Sequence, residues 1–217
     1  MKILSVNIGI ERELQTATSL SRTGIHKVPV SGAVYISAPG LKDDVIVSKK
    51  HHGGPDQAVY VFGAEDYAYW SVELGDEFAP GAFGENLTIS DLQSADFNIG
   101  DRLQAGEVTL EVTAPRIPCG TLAAWMGDPR FVKKYRDVER PGFYCRVIAE
   151  GEVKAGDVVT VQRSAGEAVG ILEVFRHWYE KEKDESTLGR FLNAPIATRV
   201  RKRLEDDLQK LLERNIP

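Results

Sequence analysis

The hydrophobic pattern changes character near residue 165. Before that point, short apolar runs rich in β-branched and aromatic residues alternate with turn residues. They predict strands over Ile3–Ile8, Gly32–Ser37, Asp44–Ser48, Ala58–Phe62, Asn86–Ile89, Val108–Thr113, Phe143–Ala149 and Val158–Gln162. Gly100-Asp101 and Gly156-Asp157 read as turns feeding a strand. Short strands at irregular spacing predict a barrel or sandwich. Helices are few in this part. Glu65–Leu74 places Tyr67, Trp70 and Leu74 on one face, and short helices over Leu122–Met126 and Phe131–Tyr135 flank the break at Asp128-Pro129.

After Ser164-Ala165-Gly166 the period becomes 3.6. Ile171, Val174, Phe175 and Trp178 form one stripe, and Leu188, Phe191 and Leu192 form a shorter one behind Ser186 as N-cap. Asn193 is expected to cap a third helix, with Pro195 in its first turn and Ala197, Val200, Leu204, Leu208 and Leu211 on one face. The expected organisation is a body over 1–163 and a three-helix region over 168–217. Such short helices bury little by themselves, so they must dock on the body or on a second copy, as in a homodimer. No tail residue belongs to a chemical motif, which makes the tail expendable for cofactor chemistry on this reading.

Composition narrows the function classes. The 217 residues are 42% hydrophobic and 27% charged, as in ordinary globular proteins. A net charge of −5 without a long basic block argues against nucleic-acid binding, which depends on phosphate contacts. No run approaches the roughly 20 apolar residues of a membrane span. Met1–Asn7 turns polar too soon for a secretory signal. Two cysteines, Cys119 and Cys145, make no disulfide framework and fit a reducing compartment. A cytoplasmic protein without a membrane partner is expected.

Three segments carry candidate chemistry. Lys49-Lys50-His51-His52-Gly53-Gly54-Pro55-Asp56-Gln57 runs basic and imidazole side chains into a glycine turn, whose N–H groups can form an anion-binding nest; a solvated hairpin turn is the plainer alternative. Pro115-Arg116-Ile117-Pro118-Cys119-Gly120 ends a strand in a proline-stiffened loop. Arg116 there favours thiolate at Cys119, both a nucleophile and a soft metal ligand. Cys145 shares a strand face with Phe143 and Val147, a core setting. In Gly81-Ala82-Phe83-Gly84-Glu85-Asn86, Asn86 bonds either a ligand or its own turn. Adjacent His51 and His52 do not have the usual spacing of zinc ligands. No dinucleotide fingerprint, Walker loop, nucleophile elbow or zincin helix is present.

These segments, with Thr23-Gly24-Ile25-His26-Lys27-Val28-Pro29-Val30, Gly151-Glu152-Val153 and Gly156-Asp157, occur in an order that resembles the MOSC domain (molybdenum cofactor sulfurase C-terminal domain). The subgroup most similar is the stand-alone YiiM type, linked to 6-N-hydroxylaminopurine resistance and carrying a similar tail. Leu41-Lys42-Asp43-Asp44 departs from the Gly-Asp pair frequent in relatives. The resemblance implies a mainly β fold, a closed MOSC-type β-barrel, binding molybdenum cofactor (molybdopterin) with Cys119 as metal ligand. It places Lys50, His51, His52, Gly53, Asp56, Gln57, Asn86, Arg116 and Lys27 around the cofactor. Reduction of an N–OH bond consumes protons, and imidazole chemistry makes His51 or His52 the expected donor beside Cys119 in catalysis. The implied activity is reduction of N-hydroxylated purines or related compounds to amines, with a flavoprotein or iron–sulfur protein as electron donor. A cofactor carrier and a metal-free Cys119-dependent sulfur transferase are the alternatives.

Overall fold

Val59–Gly63 is apolar at every position because both its faces are covered, and it becomes an inner strand of the largest sheet. The computed structural model describes residues 1–16, 19–48 and 52–214. Its strands are β1 (Ile3–Gly9), β2 (Arg12–Gln15), β3 (Leu20–Thr23), β4 (Lys27–Pro29), β5 (Val34–Ser37), β6 (Gly40–Leu41), β7 (Val59–Gly63), β8 (Leu87–Ile89), β9 (Arg102–Ala105), β10 (Val108–Pro115), β11 (Phe143–Ala149), β12 (Gly151–Val153) and β13 (Val159–Gln162). The helices are α1 (Ala64–Leu74), α2 (Gly120–Trp125), α3 (Phe131–Val138), α4 (Ile171–Tyr179), α5 (Glu185–Asn193) and α6 (Thr198–Arg214).

The expected closed barrel is not what forms. Eight strands make one open sheet in the order β13-β9-β10-β11-β7-β8-β1-β4, beside a three-stranded sheet and the β2–β3 hairpin. No ladder joins the edge strands β13 and β4. The start of β1 meets the run before β13 only through the single bridge Lys2–Val158 and the hydrogen bonds around it. One pairing, β7 with β8, is parallel, and α1 makes the crossover between them. The architecture is therefore mixed α/β, with helix and strand in similar measure. The expected strand over Asp44–Ser48 is absent as well. That segment turns Asp44 inward, where its Oδ1 accepts from Gly9 N at 2.6 Å.

Two apolar clusters fill the interior. The larger lies on the main sheet and includes Val6, Val61, Val112 and Cys145 together with Ile171, Leu188, Phe191 and Leu204 of the tail. The second is aromatic, with Trp70, Phe83, Phe131, Tyr135, Tyr144 and Phe175. The tail helices thus dock on the body, and Ala197 N donates to Thr113 O in β10 at 3.0 Å. Their boundaries differ from the sequence expectation. Asp184, not Ser186, caps α5 by accepting from Thr187 N. Asn193 is the last residue of α5, and α6 begins only at Thr198.

Candidate functional site

Strand β10 runs apolar to Pro115, and the prolines then release the chain into the loop that places Arg116 and Cys119. Cys119 is the residue before α2, in extended conformation. His52 approaches from a helical turn, its N donating to Ser48 O at 2.9 Å, ahead of a short 3-10 turn over Pro55–Gln57. Its Nε2 lies 3.8 Å from Cys119 Sγ, and its Nδ1 lies 3.3 Å from Tyr144 OH. Tyr144 and Tyr60 are register partners on β11 and β7, and the Arg116 guanidinium sits 5.3 Å from the Tyr60 ring centre. These groups line a cavity of about 450 Å³, within the roughly 300–1,000 Å³ usual for small-molecule sites.

The electrostatics favour an anionic sulfur. Burial opposes the Cys119 thiolate, but the hydrogen bond from His52 and the Arg116 charge outweigh it and bring the thiol down to about 6. Cys145, fully buried between Val112 and Val59, is pushed up by burial. Burial also works against the Arg116 charge, while Tyr60, Tyr144, Tyr135 and Cys119 support it. Arg116 is only 4% exposed, and its Nη1 has no hydrogen-bond partner among the described residues. A buried donor of this kind is costly unless something accepts from it, which suits an anionic ligand.

The other expected residues are placed as follows. Gln57 lines the cavity. Asp56 faces the tail: its Oδ2 accepts from Thr198 N and Oγ1, each at 2.7 Å, and its Oδ1 lies 3.0 Å from Arg146 Nε. Gly53 is not part of the cavity wall, and Lys50 and His51 lie outside the described residues. Lys27 and Asn86 border the cavity with their polar atoms engaged. Lys27 Nζ donates to both oxygens of Asp44 at 2.6 and 2.7 Å. Asn86 Nδ2 donates to Asp44 Oδ2 and Asn7 O, and its Oδ1 accepts from Tyr60 N.

Sequence reasoning missed Tyr144, Asp44, Trp178 and Arg199. Strand parity offered a signal for the first, since Tyr144 must face opposite to core-facing Cys145. The tail also proves less remote than expected, because Trp178, Ala197, Arg199 and Val200 form one wall of the cavity. Among the described residues no group of three or more His, Cys, Asp or Glu could hold a metal ion. A metal placed here has to bring most of its own ligands.

The comparisons with known proteins agree with this architecture. The MOSC domain model matches residues 48–160, which contain His52, Arg116 and Cys119. Protein YflK of Bacillus subtilis is 32% identical over 191 residues, covering 88% of this chain and 86% of its own. Protein YiiM of Escherichia coli is 33% identical over 136 residues, 61% of each chain. The crystal structure of YiiM from Geobacillus stearothermophilus superposes with a TM-score of 0.80 at 26% identity, covering 95% of this chain and 98% of that one. The chain belongs to the MOSC-domain family, in its YiiM-type branch.

Proposed function

We propose that this chain is a molybdenum-cofactor-dependent oxidoreductase that reduces N-hydroxylated purines or related N-hydroxylated compounds to amines. The observation that carries the reading is the Cys119–His52 pair beside a buried Arg116 whose Nη1 lacks a hydrogen-bond partner among the described residues. The residues fit the cofactor chemically. A depressed thiol is a suitable added ligand for a metal already held by pterin sulfurs. A buried guanidinium suits the anionic phosphate of the pterin. Cys119 would hold the metal and Arg116 the phosphate, with Gln57 at the polar edge. When bound, the cofactor supplies the two-electron chemistry.

The overall reaction is R–NHOH + 2e⁻ + 2H⁺ → R–NH₂ + H₂O, so the N–O bond breaks and the oxygen leaves as water. Proton handling falls to His52. Burial, opposed by the Arg116 charge, raises the pKa of the Tyr144 phenol and keeps it protonated. With Tyr144 OH donating to Nδ1, the ring carries a proton on Nε2, on the side facing the cavity and Cys119. That proton can pass to the leaving hydroxyl as Nδ1 takes the Tyr144 phenol proton, so the ring stays neutral, and solvent then returns a proton to Tyr144 beside the Arg116 charge. Electrons come from a separate flavoprotein or iron–sulfur protein, because the chain carries no dinucleotide fingerprint.

Protein made in a cofactor-competent host should reduce 6-N-hydroxylaminopurine with dithionite-reduced methyl viologen. NADPH alone should give no amine until a cellular reductase is added. Bound molybdenum without turnover would leave a carrier, and sulfur transfer by metal-free protein would favour the transferase. Stoichiometric NADPH oxidation by the purified chain would contradict the separate donor.

A further inference from the structure

The charge lining the cavity is out of keeping with the chain as a whole. The protein is net negative by five charges. Among the described residues the cavity wall nevertheless carries Arg22, Lys27, Arg116 and Arg199 and no aspartate or glutamate. None of the residues outside the description is an acid either. Low-dielectric walls lined by one sign of charge focus the field and concentrate ligands of the opposite sign.

The four cations do not play one role. Lys27 is buried in its ion pair with Asp44, and Arg22 meets Glu11 at 2.7 Å near the surface. Arg116 stands beside Cys119, where one anionic group of a bound cofactor would be met. Arg199 reaches the cavity from another direction, in the first turn of α6, with Trp178 of α4 on the same wall. It is close enough to Tyr144 for its charge to act on that phenol. The Trp178 ring is held in turn by the Arg203 guanidinium, 3.8 Å from its centre. The position of this wall is also fixed, since Asp56 anchors Thr198, the residue before Arg199.

We propose that the tail is the specificity wall of the site: Arg199 receives a phosphate or carboxylate of the substrate, with Trp178 as the apolar surface beside it. The enzyme then prefers N-hydroxylated compounds that carry an anionic group over neutral ones. This inference rests on the oxidoreductase reading for its substrate class, and on the cavity wall alone for its anion.

The test compares three substrates with cofactor-loaded wild type, Arg199→Gln and Arg199→Lys. They are neutral 6-N-hydroxylaminopurine, its ribonucleoside 5′-monophosphate, and N-hydroxybenzamidine bearing a carboxylate. In the wild type kcat/KM should favour the anionic compounds. The anionic-to-neutral ratio should fall about 10-fold in Arg199→Gln, as expected for losing a hydrogen bond to a charged group. The change should lie mainly in KM, and Arg199→Lys should recover part of it. The arm that responds identifies phosphate or carboxylate. Absence of preference in the wild type, or a ratio indifferent to Arg199, overturns the inference. Calorimetric titration of the purified protein with AMP separates the two readings. Binding weakened about 10-fold in Arg199→Gln without any turnover would retire the oxidoreductase and keep the anion wall. Equal or no AMP binding in both proteins, again without turnover, would overturn both.

Discussion

His52 Nε2 lies 3.8 Å from Cys119 Sγ although 67 residues separate them in the chain. The contact gives the thiol its partner, and with Arg116 it overcomes burial to bring the thiol to about 6, against about 8.5 for a free cysteine. Iodoacetamide alkylation of cofactor-free protein should therefore follow a titration centred near pH 6. Cys145 should stay unmodified. His52→Ala should move the midpoint upward. Because the folded-state value is depressed, the thiolate favours the folded state fully above the unfolded thiol's value, and that contribution is lost as pH falls through about 6. A midpoint near 8.5 in the wild type would contradict the assignment.

The Lys27–Asp44 pair is a buried ion pair, with side chains 7% and 2% exposed. Burial lowers the Lys27 pKa even with Asp44 beside it, so the charge depends on its partner. Asp44→Ala strands that charge and also removes acceptors from Gly9 N and Asn86 Nδ2. It should cost about 3–5 kcal/mol in urea denaturation. A loss below about 1 kcal/mol would show that water reaches the site.

Asp56 ties the loop after His52 to the tail. Asp56→Ala removes the acceptor for Thr198 N and Oγ1 and the partner of Arg146. A loss of about 1–3 kcal/mol is expected from the orphaned donors. Thr198→Ala keeps the backbone bond and should cost less. Equal costs would show that the backbone contact contributes little.

Gly24 has a single tolerated side chain, hydrogen. A Cβ there would lie 1.9 Å from Val45 O. Gly24→Ala must push the 44–48 segment away, and with it Asp44. Thermal unfolding should show one of the larger single-residue losses in the chain; an unchanged Tm would mean the segment is free to shift.

Much of this was readable from residue order. The Pro-Cys-Gly loop marked Cys119, the alternating strand marked Cys145 as core, and 3.6-residue stripes marked the tail helices. What escaped has physical reasons. Strands β2 and β3 are largely exposed and polar, so they carry no alternation to read. The open sheet depends on which edges meet, a long-range property that strand number does not determine. Asp44 looked like part of a strand because its neighbours are β-branched, and only the fold brings Lys27 and Asn86 to it. Trp178 and Arg199 were hidden for the same reason: one belongs to an apolar stripe and the other to a charged helix, and nothing local says that both face the cavity. That wall also changes the expectation for a chain ending at Ser164. Such a chain would expose the sheet residues that Ile171, Leu188 and Phe191 cover, and it should aggregate instead of retaining cofactor binding.

The central claim is that Cys119 holds a molybdenum cofactor in this cavity. Elemental analysis with pterin fluorescence, on wild type and Cys119→Ser made in a cofactor-competent host, tests it most directly. The account predicts molybdenum and pterin near one per chain in the wild type. It predicts loss of molybdenum from Cys119→Ser, whose Tm and circular dichroism should stay those of the folded protein. Folded wild type without molybdenum or pterin, or Cys119→Ser retaining the metal in full, would contradict it.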